Sequence, residues 1–264
     1  MPPIIIGQYV PAESVIHRLD PRAKLLSVII FVVIIFLANQ WISYGLLGLF
    51  ILTAVLLSRV PVTFIYRGMK PIFFIVIITF ILHLFLTKDG DVVLEWGFFS
   101  IYEGGLVQGA YISLRLLYLI IFTSLLTLTT TPIEITDGLE SLMHPLKRFG
   151  LPVHEFALMM SISLRFIPTL LEETEKIMKA QSARGVEFTS GPLRQRLKAI
   201  IPLLIPLFVS SFKRAEDLAF AMEARGYRGG EGRTKYRLLR WGKSDNVLLA
   251  LIVLISAILI WLRL

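Results

Sequence analysis

Ala180-Gln181-Ser182-Ala183-Arg184-Gly185 recurs as Ala221-Met222-Glu223-Ala224-Arg225-Gly226, with the two arginines 41 positions apart (184 and 225). Whether the apolar stretches leading into these two copies cross a membrane or lie along it decides the fold. Each copy closes a run of good helix formers, 172–183 and 212–224. A glycine just past a helix end takes the left-handed conformation that caps free carbonyls. The arginine before it sits where the negative end of the helix dipole favours a cation. Alanines three apart leave a smooth face for close approach. The pattern predicts two similar helix tips, each showing one guanidinium on a small-residue surface, and a duplicated tip implies a duplicated partner. The plainer alternative is two helix ends that look alike by composition; four matched positions in one spacing weigh against it.

Composition sets the surroundings of these tips. The chain has 264 residues, 55% of them hydrophobic, which points to an integral membrane protein. It has no cysteine, so disulfides and thiolate metal sites are excluded. Spanning segments need about 20 mostly apolar residues. Five candidates stand out, at about 24–38, 42–57, 71–86, 110–129 and 246–262. No cleavable signal peptide is expected, because the apolar run from Leu25 lacks a small-residue cleavage site and leads straight into a second one.

Loop charges give an orientation. Residues 1–24 hold Arg18, Arg22 and Lys24 against Glu13 and Asp20, and residues 58–71 hold Arg59, Arg67 and Lys70 with no acid. Residues 87–104 hold Lys88 against Asp89, Asp91, Glu95 and Glu103, whereas 130–243 hold 18 basic and 12 acidic groups. With the N-terminus in the cytoplasm, every basic loop falls inside and the acidic loop outside. Nearly all of the net charge of +8 lies in these loops, and nucleic acid is not an expected partner.

The region 130–243 is helical in pattern and unusually apolar for a loop. Its two apolar runs are 156–171, which contains Arg165 and Pro168, and 200–212, which the prolines at 202 and 206 are expected to break. If both crossed the membrane there would be seven spans, the basic stretch 172–198 would lie outside, and the two tips would face opposite sides. Charge placement and the repeat favour long amphipathic helices on the cytoplasmic side. The expected fold is therefore an all-α integral membrane protein with about five transmembrane helices. Four make an N-terminal membrane domain (1–129), a large cytoplasmic helical region follows (130–243), and the fifth is C-terminal (244–264). An exposed apolar side on such helices needs a partner, and the methionine-rich, small-residue stretch from Ala157 to Ser163 suits packing against another membrane protein or ordinary bundle core.

Signals of catalysis are weak. Gly242-Lys243-Ser244 ends like a phosphate-binding loop, but the first glycine of that motif would fall at Arg237. His154-Glu155 begins a zinc-protease pattern whose second histidine is replaced by Leu158. The glycine-rich stretch 226–232 reads as a turn, and the four histidines are scattered. Arg115 lies inside the fourth candidate span, where a charge is either functional or snorkels to the nearest interface. Asp20-Pro21-Arg22 reads as a helix start, with Asp20 as N-cap and Pro21 at the first helical position.

The paired Ala-Arg-Gly motif, together with Gly7-Gln8-Tyr9-Val10-Pro11 and the stretch Ser14-Val15-Ile16-His17-Arg18-Leu19-Asp20-Pro21-Arg22-Ala23-Lys24-Leu25, closely resembles the transmembrane T component of energy-coupling factor (ECF) transporters. The resemblance covers essentially the whole chain. It implies a non-catalytic multi-pass subunit of the cell membrane that joins two ABC-type ATPases to a small membrane S component carrying the substrate. By the same resemblance, Ala183, Arg184, Gly185, Ala224, Arg225 and Gly226 contact the ATPases. The S component docks on the cytoplasmic helices, at positions such as Ala157, Met159, Met160, Ser163, Leu203 and Leu207. No cofactor is expected on this chain, since ATP and Mg belong to the partner ATPases. The N-terminal motif looks like the shared type of T component, linked mostly to vitamins and less to transition-metal ions. A secondary transporter needing no ATPase would call for midplane polar residues, of which the first four spans offer only Arg115 and His83. A membrane scaffold would use the basic helices as lipid-headgroup contacts.

Overall fold

The computed structural model describes residues 9–96, 99–188, 192–229 and 238–263. Gly7 and Gln8 of the N-terminal motif, and residues 230–232 of the glycine-rich stretch, lie outside the described residues. The helices are α1 (Pro21–Ile34), α2 (Trp41–Ser58), α3 (Val62–Leu86), α4 (Glu103–Thr129), α5 (Pro132–Met143), α6 (Val153–Ala183), α7 (Leu193–Ala224) and α8 (Lys243–Arg263). The acidic loop before α4 carries the antiparallel hairpin β1 (Val92–Trp96) and β2 (Phe99–Tyr102), a small exception to an otherwise helical fold. The chain forms two compact units, Met1–Leu142 with Leu239–Leu264, and Met143–Leu238.

In the first unit, apolar residues at helical spacing meet in one core. Phe31, Ile34, Ile35 and Ala38 from α1 and the short 3₁₀ turn after it pack with Tyr44, Leu47 and Ile51 of α2 and Ile252, Ile255 and Leu259 of α8. The i, i+3, i+7 repeat in each helix is what aligns these side chains on one stripe. The Phe31 and Phe122 rings lie 4.4 Å apart, and Tyr44 stacks on Tyr111 at 5.1 Å. α3 and α4 pack along Gly105 and Gly109, where an added Cβ would come within 3.0 Å of the His83 carbonyl oxygen and 3.3 Å of the Phe80 ring, respectively. Such small-x-x-x-small spacing permits close backbone approach between membrane helices.

Among the described residues, α2, α4 and α8 are long and apolar enough to cross a membrane, and α3 makes a fourth if its two halves count as one span. Those halves, Val62–Lys70 and Ile72–Leu86, meet at 57°. The first expected span is α1, of 14 residues, with its 3₁₀ continuation to Leu37, at the short end of what crosses a bilayer.

The second unit is built on α6 and α7, of 31 and 32 residues, packed on one another. Both helices run without a break through their internal prolines, Pro168 in α6 and Pro202 and Pro206 in α7, contrary to the interruption expected at 202 and 206. A proline forfeits one hydrogen bond, and neighbouring turns with tertiary packing keep the remainder of a long helix intact. The pairing is pinned by Glu173 of α6, which accepts a hydrogen bond from the Ser210 hydroxyl and forms an ion pair with Arg214 at 2.8 Å.

Candidate functional site

The two repeats end α6 and α7 in the same way. At the first, Gly185 has φ +87°, its N–H donates to the Ser182 carbonyl (3.0 Å), and the Val186 N–H donates to the Gln181 carbonyl (3.0 Å). At the second, Gly226 has φ +73°, its N–H donates to the Glu223 carbonyl (2.8 Å), and the Tyr227 N–H donates to the Met222 carbonyl (3.0 Å). These paired bonds are the Schellman cap, which satisfies carbonyls that a helix end leaves free.

An added Cβ at either glycine would meet nothing within 4 Å, so glycine is needed there for its backbone angle and not for space. Gly185→Ala and Gly226→Ala are therefore each expected to strain the cap by about 1–2 kcal/mol. Amide exchange at Val186 or Tyr227 should quicken about 5- to 30-fold, with asparagine milder than alanine. Unchanged exchange in both alanine variants would show that the caps do not hold the tips.

Ala183, Arg184 and Gly185 are exposed, as are Ala224, Arg225 and Gly226. Neither Arg184 nor Arg225 has a side-chain hydrogen bond or ion pair among the described residues. Each tip is thus a rigid backbone turn carrying an unengaged guanidinium, a group suited to planar, bidentate recognition of carboxylates.

The proposed docking residues divide. Met159 and Met160 are each 53% exposed and Ser163 is also exposed, its hydroxyl donating to the Met159 carbonyl. Ala157, Leu203 and Leu207 are half-buried. The open apolar face of α7 runs instead through Ile201, Ile205, Phe208 and Phe212.

Asp20, Pro21 and Arg22 begin α1. Asp20 is its N-cap, accepting from the Arg22 N–H at 2.9 Å, and Pro21 opens the helix. The Arg22 guanidinium donates to both Asp20 oxygens, at 3.0 and 2.9 Å, and this partnership raises its pKa. Two residues not singled out in the sequence complete the cluster. Asp245, 2% exposed, accepts the Asp20 N–H at 2.8 Å and the Gly242 N–H at 2.7 Å. Lys24, 5% exposed, donates its ammonium to the Thr129 carbonyl at 3.0 Å and to the Thr130 hydroxyl at 3.1 Å. Together they tie the starts of α1 and α8 to the end of α4. Nearby, His17 is held between the Val10 carbonyl and the Ser14 hydroxyl, and burial lowers its pKa. Arg115 donates to the Ala38 carbonyl at 3.4 Å and lies 5.0 Å over the Phe36 ring, so its charge is turned toward one end of the bundle. Among the described residues, no three His, Asp or Glu side chains converge as metal ligands.

The CbiQ family model, described as "Cobalt transport protein", matches residues 12–236, most of the chain and both tips. The chain belongs to this family. Within it, the chain is 64% identical to the "Energy-coupling factor transporter transmembrane protein EcfT" of Bacillus subtilis (strain 168) over 264 residues, covering 100% of this chain and 99% of that one. Relatives of the same name are 56% identical in Listeria innocua, covering 100% of this chain and 99% of the relative, and 54% identical in Brevibacillus brevis, covering 98% of each. A CbiQ/EcfT family member is a transmembrane transport protein, in keeping with the long apolar helices of the first unit.

Proposed function

We propose that the chain is the T component of an ECF-type importer, and that it couples ATP hydrolysis by two ABC-type ATPase subunits to movement of a separate S component. The observation that carries this reading is the pair of helix ends with one capping pattern and one exposed arginine each. Two equivalent tips suit two equivalent grooves. Arg184 and Arg225 enter those grooves, with the flanking alanines and glycines giving close contact. ATP and Mg sit on the partners, and this chain catalyses no reaction itself.

When the ATPases close, the tips move with them. The capped ends pass the displacement into α6 and α7, whose exposed apolar positions, Met159 and Met160 on one and Ile205 and Phe208 on the other, receive the S component. The protein lies in the cell membrane with its N-terminus in the cytoplasm, the arrangement that puts the basic loops inside. The cargo class proposed is a vitamin, with a metal ion as the lesser alternative; the relatives' names carry no substrate, and the family description names cobalt.

Purification of the tagged chain from its native membrane tests the whole reading. Two ATPase subunits and a small hydrophobic protein are expected to copurify, and several such small proteins sharing one ATPase pair would mark the shared type. Recovery of the chain alone, in a detergent that preserves membrane complexes, would overturn the coupling role.

A further inference from the structure

A cleft of about 400 Å³ lies among α1, α2, α4 and α8 in the first unit, within the size range of small-molecule sites. Most of its wall is apolar, including Val28, Phe50, Leu126 and Leu251. One end is polar, where Lys24, Thr129, Lys243 and Ser244 line it. The charges around that end are already engaged, with one exception. Lys24 is spent on Thr129 and Thr130, Asp20 on Arg22, Asp245 on two backbone N–H groups, and Glu134 on the Thr131 N–H. Lys243 is exposed and has no hydrogen bond or ion pair among the described residues. Leu57 and Val247 on the rim are also exposed, so the cleft opens on the outer face of membrane-crossing helices.

An apolar slot between membrane helices, with an unpaired and exposed ammonium at one end, has the polarity of a phospholipid, and that ammonium favours an anionic headgroup. We infer that this cleft holds an acyl chain of one anionic phospholipid from the leaflet at that end, with Lys243 and the Ser244 hydroxyl on the headgroup phosphate. The lipid would bridge α2 and α8 beside the Asp20–Asp245 cluster, a role separate from the tips.

Native mass spectrometry of the full chain, loaded with phosphatidylglycerol or phosphatidylcholine, tests this. One phosphatidylglycerol per chain should survive conditions that strip phosphatidylcholine. Lys243→Gln, at an exposed position that alters no packing, should lower that retention about 5-fold, the weight of one lysine at an anionic surface. Ala54→Phe, which fills the apolar end, should remove it, with helix content and melting checked in the same sample. Equal retention of the two lipids, no retention of either, or retention unmoved by Lys243→Gln would each overturn the inference. So would a Thr53→Cys thiol that stays open to soluble reagent in lipid and is shielded only in the assembled transporter, which would give the cleft to a partner protein.

Discussion

The double variant Arg184→Ala, Arg225→Ala is expected to reach the membrane folded, with wild-type melting, and to lose ATP-driven uptake. Both side chains are exposed and neither has a side-chain partner among the described residues, so their removal costs the isolated fold little. In the ATPase assembly proposed above the balance differs. A guanidinium buried in a partner groove and paired there is worth about 2–5 kcal/mol when truncated. The tips end separate helices, so the two losses should nearly add. Even at the lower bound, two such losses weaken attachment of the ATPases by about 10³-fold. Uptake into vesicles and the amount of copurifying ATPase measure the two consequences separately. Normal uptake by the double variant would refute the groove contact. Lysine at both positions separates that contact from headgroup binding: a lipid surface accepts either cation, whereas a bidentate groove contact requires the planar fork of arginine.

The parts of this molecule that were legible in the sequence are those fixed by local chemistry. Glycine after a run of helix formers demands a left-handed cap, and the caps stand at Gly185 and Gly226. Asp20-Pro21 starts a helix for equally local reasons. The apolar runs of α2, α4 and α8 needed only length and composition. What stayed hidden depends on more distant partners. Pro202 and Pro206 carry a strong local breaking signal, yet α7 continues through them, because a helix of 32 residues packed on α6 tolerates missing hydrogen bonds. Which side of α7 stays open was not legible, since Leu203 and Leu207 are half-buried while the chemically similar Leu204 and Ile205 beside them are exposed. The Gly105–Gly109 spacing was present in the sequence but gained meaning only once α3 was seen to press on it. Asp245 was least legible. It bonds the backbone of Asp20, 225 residues away, and its only trace in the sequence is an acid in the first turn of the last helix.

Asp245 is accordingly where a single substitution should damage the fold most. Its carboxylate is 2% exposed and bonds two backbone N–H groups, one at the start of α1 and one just before α8. Within α8 it acts as the reaching-back half of a capping box, satisfying the Gly242 N–H. Across the unit it fixes the α1 N-cap, so two helix starts share one carboxylate. Asp245→Ala leaves the Asp20 N–H unpaired in a buried place and strips a negative charge from the neighbourhood of Lys24, whose ammonium is itself buried. Removing one member of such a network costs about 3–5 kcal/mol. One effect runs the other way, because Asp20 and Asp245 are both acids and their mutual repulsion is relieved. Asp245→Asn separates the two terms: it keeps one acceptor oxygen, loses the charge, and turns an amide N–H₂ toward one of the backbone donors. The expected order of stability, read from melting in detergent, is therefore wild type, then Asn lower by about 1–2 kcal/mol, then Ala lowest. If repulsion dominated, Asn would match or exceed wild type, and the cluster would be a strained contact instead of a clasp. An Asp245→Ala protein within about 0.5 kcal/mol of wild type, the scatter of ordinary surface substitutions, would show that α1 and α8 are held together by the Phe31, Ile252 and Ile255 packing alone.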